Sequence, residues 1–448
     1  MKTLRCPSWV SFFNLRVKTK IMTSSFKRRM FTVILGSLAV ACSQSIDSPK
    51  KVMSDDKTQA SAAPKPEVMP AKQEAAPGNR KAADGNKDNS PCTEVFLTGT
   101  GGGPASQFGN AQSGVFIRSG HSGNGCNDVR LQFDAGRGTL LKLSSLPAPT
   151  RPGFITPTSL SALFLTHGHS DHTSSVPDIL ETRWIMTKND GQFPDLKPPK
   201  PKYKDFPVIC FDATCGVVSM ALSPWKEEID SRAEKDHRLV KPKADLRKFQ
   251  ASASPQTVWE SSDVSVSAVS VSHIPGSVGY QVKTPAGEVC ISGDTSYSDN
   301  FKTMCEGADV IIHEVIHPVL DGIAEKLPNP DPTFTKVMDN IFNSHTSTAD
   351  FDKLGGTDAV MVLTHIIPPI GAGGFQGIPL VPHLNKLNPA RGKGPTKPYD
   401  FCKAIQDSGF EGQLHVGRDL MQIKLLNGKV STKMPEDQPT DCVKFLGK

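Results

Sequence analysis

The sequence predicts an α/β fold in which short buried strands end close to His or Asp residues. Runs such as Ala162–Thr166 and Val264–Val271 are apolar or alternating, have the length of strands and stop near turn-forming residues. Four such runs are followed within a few residues by His or Asp. The loops after strands of an α/β sheet face a crevice and collect functional groups. We therefore expect the functional site at the carboxyl ends of these strands.

The densest group of candidate ligands follows the first run. His167, His169, Asp171 and His172 form an H-x-H-x-D-H array within Ser161–Ser175. Imidazole and carboxylate are ligands that Zn²⁺ takes, so this array can hold one ion and begin a second site. The alternative is a histidine-rich surface loop.

More distant strands supply the remaining candidate ligands. His273 follows the alternating run Val264–Val271, Asp294 follows the next run, and His365 ends the run AVMVLTH. A single buried histidine is more often a hydrogen-bonded structural residue. The position at strand ends, which all three share, favours a metal site.

Several sequence blocks follow one another in a fixed order: FLTGTGGGPAS, LQFDAGRGT, LFLTHGHSDHTSSVP, SHIPGSVGY, SGDTSYSDNF, ADVIIHEVI, SHTSTADF and VLTHIIPP. In this order they resemble the metallo-β-lactamase fold hydrolases, and within them the branch that contains ribonuclease Z and the arylsulfatase-like enzymes. The resemblance runs from about Val95 to Lys424 and implies a four-layer αββα sandwich with loop insertions.

The resemblance implies a two-metal site and assigns each ligand. Two zinc ions are implied, with manganese or iron as alternatives. One ion is assigned to His167, His169 and His273, the other to Asp171, His172 and His365, and Asp294 is assigned as the bridge. Asp134 is implied to orient a metal-bound imidazole from outside the ligand set.

The same resemblance assigns catalysis to Asp171, His345 and Glu314. A bridging hydroxide would attack an anionic ester, with Asp171 accepting its hydrogen bond. His345, positioned by Glu314, would protonate the leaving oxygen, and His313 is the expected bystander. The segment Gly99–Gly103 lacks the Lys-Ser/Thr of a nucleotide-binding loop, and we expect a tight turn beneath the site.

The N-terminus predicts export. Residues 1–41 have the basic region and short apolar stretch of a signal peptide, and translation beginning at Met22 would suit its length. SLAVAC resembles a bacterial lipobox, which implies lipidation of Cys42 and a lipoprotein held on the periplasmic side of a membrane. An ordinary cleaved signal peptide is the alternative. The apolar stretch is too short for a spanning helix.

Residues 42–91 predict a disordered tether, because Ser43–Pro91 has no Leu, Phe, Tyr or Trp. Residues 92–448 then form a single hydrolase domain. Three insertions are expected within it: Lys188–Phe206, the polar helical stretch Pro224–Lys248, and Ile366–Pro398. The last follows a ligand and is either a wall of the substrate pocket or a surface loop.

The charge balance argues against a nucleic-acid partner. Residues 1–91 carry 16 Lys and Arg against 7 Asp and Glu, so the total of +6 leaves −3 for residues 92–448. Proteins that bind long polyanions usually carry a basic face. The run Lys197–Lys204 is the best candidate patch, although a solvated loop is favoured.

Cysteine usage agrees with export. Apart from Cys6 and Cys42, eight cysteines remain, and this even number permits disulfides. Cys290 lies in a core strand and is expected to be a buried free thiol. The connectivity is not readable from sequence.

Together these features predict an exported two-zinc hydrolase of small anionic esters, either aryl sulfates or phosphodiesters. The first alternative is a ribonuclease Z-like 3′-tRNA processing endonuclease, against which the exported location argues. The second alternative is a surface lipoprotein that binds without catalysis. A membrane contact through the lipid anchor is expected, and a homodimer is left open.

Overall fold

The computed structural model describes residues 89–103, 110–146, 155–187, 206–233, 241–261, 263–317, 332–355, 358–368, 398–434 and 442. The chain divides into two units, Met1–Ala82 and Ala83–Lys448, and the described residues all belong to the second. The expected signal peptide, Cys42 and nearly all of the expected tether lie outside the described residues. So do the Lys197–Lys204 run and most of the insertions at Lys188–Phe206 and Ile366–Pro398.

The described residues contain fifteen strands. Their bounds are β1 Pro91–Gly99, β2 Gly114–His121, β3 Val129–Phe133, β4 Ala162–Phe164, β5 Phe206–Phe211, β6 Ala244–Phe249, β7 Gln256–Ser261, β8 Val264–Ser270, β9 Val278–Thr284, β10 Gly287–Ile291, β11 Val310–Ile316, β12 Val360–Ile367, β13 Leu414–Val416, β14 Gln422–Leu426 and β15 Lys429–Lys433.

Helices connect many of these strands. The α-helices are α1 Thr139–Ser145, α2 Ser170–Thr173, α3 Val176–Thr187, α4 Asp212–Met220, α5 Lys226–Ser231, α6 Asp299–Met304, α7 Pro332–Asn343 and α8 Pro398–Asp407, and short 3₁₀ helices cover Ser122–Asn124, Pro157–Ser159, Ser223–Trp225 and Thr348–Leu354. No helix among the described residues has both the length and the apolar character needed to cross a bilayer.

The strands form two sheets of similar design. The first has the order β15-β14-β1-β2-β3-β4-β5-β6, and the second has the order β13-β12-β11-β10-β9-β8-β7. Each begins along the chain as an antiparallel meander and continues with parallel strands, from β3 to β6 in the first sheet and from β10 to β13 in the second.

Three layers of apolar side chains hold the sheets and helices together. The alternation of side chains along β12 shows this, because Val360 and Val362 pack between the sheets while Met361 and Leu363 face the helices. The outer face of the second sheet packs against Phe301, from α6. The outer face of the first sheet packs against helices that include α1, α3 and α4. This is the αββα sandwich that the sequence predicts.

Strand direction determines where the functional residues gather. In the second sheet β8 is antiparallel to β9, and β9 is antiparallel to β10, so β8 and β10 run the same way as β11 and β12. The carboxyl ends of β8, β10 and β12 therefore lie at the same end of the sheet. In the first sheet β3 and β4 are parallel and also end together. The strand directions thus explain why the residues that follow these strands, expected from sequence to form the functional site, gather in one place.

The expected helical stretch Pro224–Lys248 is wrong in its second half. Helix α5 covers only Lys226–Ser231, and Ala244–Phe249 forms strand β6. This strand pairs in parallel with β5 at the edge of the first sheet, where polar side chains remain in solvent. The charged composition that suggested a surface helix suits an edge strand equally well.

All eight cysteines of residues 92–448 are paired. The disulfides are Cys92–Cys126, Cys210–Cys215, Cys290–Cys305 and Cys402–Cys442. The expectation that Cys290 is a free thiol is therefore wrong. The outer face of β10 is covered by the α6 segment, and Cys305, directly after α6, lies against Cys290.

The disulfides differ in the length of chain that they close, and so in their expected contribution to stability. The Cys92–Cys126 bridge closes a separation of 34 residues, whereas Cys210–Cys215 closes 5. Constraining the unfolded chain is worth about 4 kcal/mol for the longer loop and about 2 kcal/mol for the shorter one. Replacing both cysteines of each pair with Ala should therefore lower the free energy of unfolding more at Cys92 and Cys126. Denaturant titration measures this, and a larger loss at the short bridge contradicts the chain-entropy account.

Candidate metal centre

The structure brings all seven predicted ligands together at one edge of the sandwich. The segment after β4 supplies His167, His169, Asp171 and His172, the last two from α2. The ends of β8, β10 and β12 supply His273, Asp294 and His365 from the opposite sheet. Their ligand atoms fall into two clusters that share Asp294. Neither sheet alone completes either cluster.

The first cluster contains His167, His169, His273 and Asp294. His169 Nδ1 lies 2.9 Å from His167 Nε2 and 3.1 Å from His273 Nε2. Asp294 Oδ2 lies 3.7 Å from both Nε2 atoms. Three imidazole nitrogens and one carboxylate oxygen thus face a common point.

The second cluster contains Asp171, His172, Asp294 and His365. His365 Nε2 lies 3.1 Å from Asp171 Oδ2 and 3.2 Å from Asp294 Oδ2. His172 Nε2 lies 3.1 Å from Asp294 Oδ1 and 3.7 Å from Asp171 Oδ2. The two oxygens of Asp294 therefore face nitrogens of both clusters.

These spacings fit tetrahedral coordination. Metal–ligand bonds of 2.0–2.2 Å place neighbouring ligand atoms of a tetrahedron about 3.3 Å apart. The separations in both clusters, between 2.9 and 3.7 Å, bracket that value. His172 Nε2 and Asp294 Oδ1 are also buried without a hydrogen bond of good geometry in the described part of the chain. A cation would satisfy both atoms.

Residues outside the clusters fix the imidazole orientations. Asp134 accepts a hydrogen bond from His172 Nδ1 at 2.7 Å, which leaves Nε2 for the metal. Its carboxylate also accepts from the backbone and hydroxyl of Thr166, whose Oγ1 lies 3.1 Å from His167 Nδ1. Ser344 O accepts from His273 Nδ1 at 2.8 Å. Asp134 thus has the orienting position that the resemblance implied.

The electrostatics of the site favour a bound cation. Burial alone would raise the pKa of Asp294, but His172 and His365 hold that pKa well below its usual value. Burial alone would lower the pKa of His172, but Asp294 and Asp134 raise it well above its usual value. Carboxylates that stabilise a proton on His172 also stabilise a metal ion in its place.

His345 and Glu314 lie beside the clusters. Glu314, on β11, accepts hydrogen bonds through Oε1 from His345 Nδ1 at 3.1 Å and from the backbone of Thr295 and Thr346 at 3.0 Å. The imidazole ring of His345 stacks on that of His365, with 5.3 Å between the ring centroids. Burial disfavours the charged imidazolium, yet Glu314 outweighs this and raises the pKa of His345 to about 9. A raised pKa favours the protonated form of His345, which lies next to the second cluster.

His313 stays apart from the site, as expected. Its side chain is buried on the other face of β11, between the rings of Phe301 and Phe351. Nδ1 donates to the backbone oxygen of Glu314 at 2.7 Å. His313 is a structural residue of the helix-facing layer.

The glycine-rich segment contacts the site more closely than the sequence indicated. The N–H of Gly103 points at Asp171 Oδ2, 2.9 Å away, and at His365 Nε2, 3.3 Å away. A Cβ at Gly102 would lie 2.7 Å from His365 Nδ1, so only glycine fits there. The sequence feature that could have indicated this contact is the position of the segment directly after strand β1.

The sequence of this chain is similar to those of ribonuclease Z proteins. No family model matches the chain. Ribonuclease Z of Mycolicibacterium paratuberculosis is 28% identical over 285 residues, which cover 62% of this chain and 88% of that protein. Ribonuclease Z of Mycobacterium bovis is 23% identical over 338 residues, covering 74% and 98%.

Solved structures were also compared. The metallo-β-lactamase fold protein YhfI of Bacillus subtilis is 19% identical, with a TM-score of 0.45 and coverage of 74% of this chain and 99% of that one. The short form of human tRNase Z is 19% identical, with a TM-score of 0.42 and coverage of 61% and 92%.

Both ribonuclease Z proteins match this chain over most of their own length. The chain has the αββα fold of the metallo-β-lactamase hydrolases and is similar in sequence to ribonuclease Z proteins.

Proposed function

We propose that the protein is an exported, two-zinc phosphodiesterase that cleaves RNA or smaller nucleotide phosphodiesters. The observation that carries the proposal is the pair of His/Asp clusters joined through Asp294, with the His345–Glu314 pair beside them. Relatives named ribonuclease Z favour a phosphodiester over the aryl sulfate that the sequence first suggested. They also favour a nucleic-acid substrate, which the charge balance argued against.

The donor set fits divalent ions, and zinc is the expected metal. When bound, two such ions lower the pKa of water towards neutrality and polarise the phosphoryl group. His167, His169 and His273 would hold one ion and Asp171, His172 and His365 the other, with Asp294 shared. The pair needs no Ser or Cys nucleophile.

The chain itself handles the protons. His172 and His365 keep Asp171 ionised, because they lower the pKa of a carboxyl that burial alone would raise. The ionised carboxylate can accept a proton or a hydrogen bond from the attacking water. Glu314 binds Nδ1 of His345, so Nε2 of the imidazolium is the atom that can protonate the leaving oxygen.

The disulfides support an exported location. Four bridges use every cysteine of residues 92–448. Such bridges persist in oxidising compartments and are rare in the cytosol. With the basic and apolar stretch before Cys42, this favours a lipoprotein on the periplasmic side of a membrane. Its substrates would then be RNA or RNA fragments outside the cytosol rather than precursor tRNA.

A substrate panel tests the proposed function. Purified protein should hydrolyse bis-nitrophenyl phosphate and short RNA, and nitrophenyl sulfate at least a hundredfold more slowly. The panel also includes precursor tRNA and cyclic nucleotides. Comparing the hydrolysis rates of these compounds shows whether the protein prefers large or small phosphodiesters. A preference for the sulfate contradicts the proposal, and turnover of none of these compounds by the metal-loaded protein favours the non-catalytic alternative.

The proton donor is tested with leaving groups of different basicity. His345→Ala should slow phosphodiesters with alkoxide leaving groups by about 10² to 10⁴ and nitrophenyl esters far less, because nitrophenolate leaves without a proton. Zinc content should be unchanged, and Glu314→Gln should show the same pattern more weakly. His121→Ala, at the exposed end of β2, is the control. Equal slowing of both classes, or loss of zinc, rules out this role.

The location is tested by cell fractionation. Wild-type protein should be recovered with the membrane fraction and partition into detergent, because the lipid on Cys42 holds it there. Cys42→Ala should be released or remain an unprocessed precursor. Recovery of the wild-type protein in the cytosol contradicts export and favours tRNA processing.

A further inference from the structure

Asp419 is a buried carboxylate outside both ligand clusters, in the turn between β13 and β14. Its side chain is 7% exposed and receives four donors. Oδ1 accepts from the backbone N–H and the hydroxyl of Thr100, at 3.0 and 2.8 Å. Oδ2 accepts from the N–H of Ala111 at 2.7 Å and pairs with Lys142 Nζ at 3.1 Å. No metal ligand is among these partners.

These hydrogen bonds hold the segment after β1 next to the segment before β2. Thr100 follows β1 and Ala111 precedes β2, and the N–H of Gly101 also donates to Ala111 O at 2.9 Å. On its other side, Thr100 O accepts from the N–H of Ile366 at 2.9 Å. Asp419 is therefore joined through Thr100 to the end of β12, directly beside His365.

The segment that Asp419 holds ends in a direct contact with the second cluster. Gly103 donates its N–H to Asp171 Oδ2, and its carbonyl accepts from Gln112 Nε2 at 2.8 Å. Gly103 has a φ of +82°, a conformation that glycine adopts without strain. A carboxylate oxygen has two lone pairs, so Asp171 Oδ2 can keep this bond while it binds a cation.

We propose that Asp419 is a positioning residue for the second metal subsite, formed by Asp171, His172, Asp294 and His365. It acts by fixing residues 100–103, whose last amide orients the Asp171 carboxylate. The imidazoles of the first subsite are oriented by other groups, Thr166 at His167 and Ser344 at His273. Loss of Asp419 should therefore weaken the second ion and leave the first.

The carboxylate cannot be replaced by an amide at this position. Both oxygens accept from donors, and an Asn side chain has only one oxygen. Its NH₂ group would face either the donors of Thr100 or those of Ala111 and Lys142. One set would lose its acceptor in a largely buried place, so the segment should shift or loosen.

Metal titration of the full chain tests the proposal. Wild-type protein stripped with a chelator should bind two zinc ions in calorimetry. Asp419→Asn should bind the first with wild-type affinity and the second at least tenfold more weakly. Thr100→Val removes one bond to Oδ1, and it should weaken the second ion by a smaller factor; this milder variant decides the question if Asp419→Asn does not fold.

The matched control is Asp309→Asn. Asp309 is another partly buried aspartate, and it accepts a hydrogen bond from the backbone N–H of Glu288 at 2.8 Å. It directly precedes β11 and therefore lies at the amino end of that strand, whereas the metal clusters lie at the carboxyl ends of the strands. Both ions should bind to this variant as to wild type. Unchanged binding of the second ion to folded Asp419→Asn, or equal weakening of both ions, overturns the proposal. The titration needs no substrate, so its result is independent of the substrate class.

Discussion

The burial of Asp294 between two sheets is the constraint on which the rest of the site depends. A fully buried carboxylate is costly unless positive charge or hydrogen bonds compensate it. Four imidazoles surround this one, His167 and His273 on one side and His172 and His365 on the other. In this chain the facing strand ends of the two sheets supply that environment.

The direction of the strands provides that geometry, and the residues around the ligands refine it. Asp134 and Thr166 orient imidazoles from the first sheet, and Ser344 orients one from the second. Glu314 instead contacts His345, whose imidazole lies beside the two clusters, and it raises the pKa of that imidazole. Four histidines of this region, His167, His172, His273 and His345, thus each have a polar partner at Nδ1.

The candidate ligands could be predicted from sequence because they lie in or just after the last residues of strands, as His365 does in β12 and His167 after β4. Other features depend on tertiary contacts with no local pattern. Cys290 looked like a core thiol, yet it meets Cys305 only because α6 packs over β10. Asp419 lies more than 300 positions from Thr100, so its role appears only once β1 and β14 are paired.

The position of Asp294 in both clusters implies that two bound ions share its carboxylate. A crystal of the zinc-loaded protein, measured on both sides of the zinc absorption edge, tests this most directly. Two anomalous peaks about 3.5 to 4 Å apart should appear, with Asp294 contacting both ions through one oxygen or through its two oxygens. A single peak, or two peaks of which neither contacts Asp294, would contradict it.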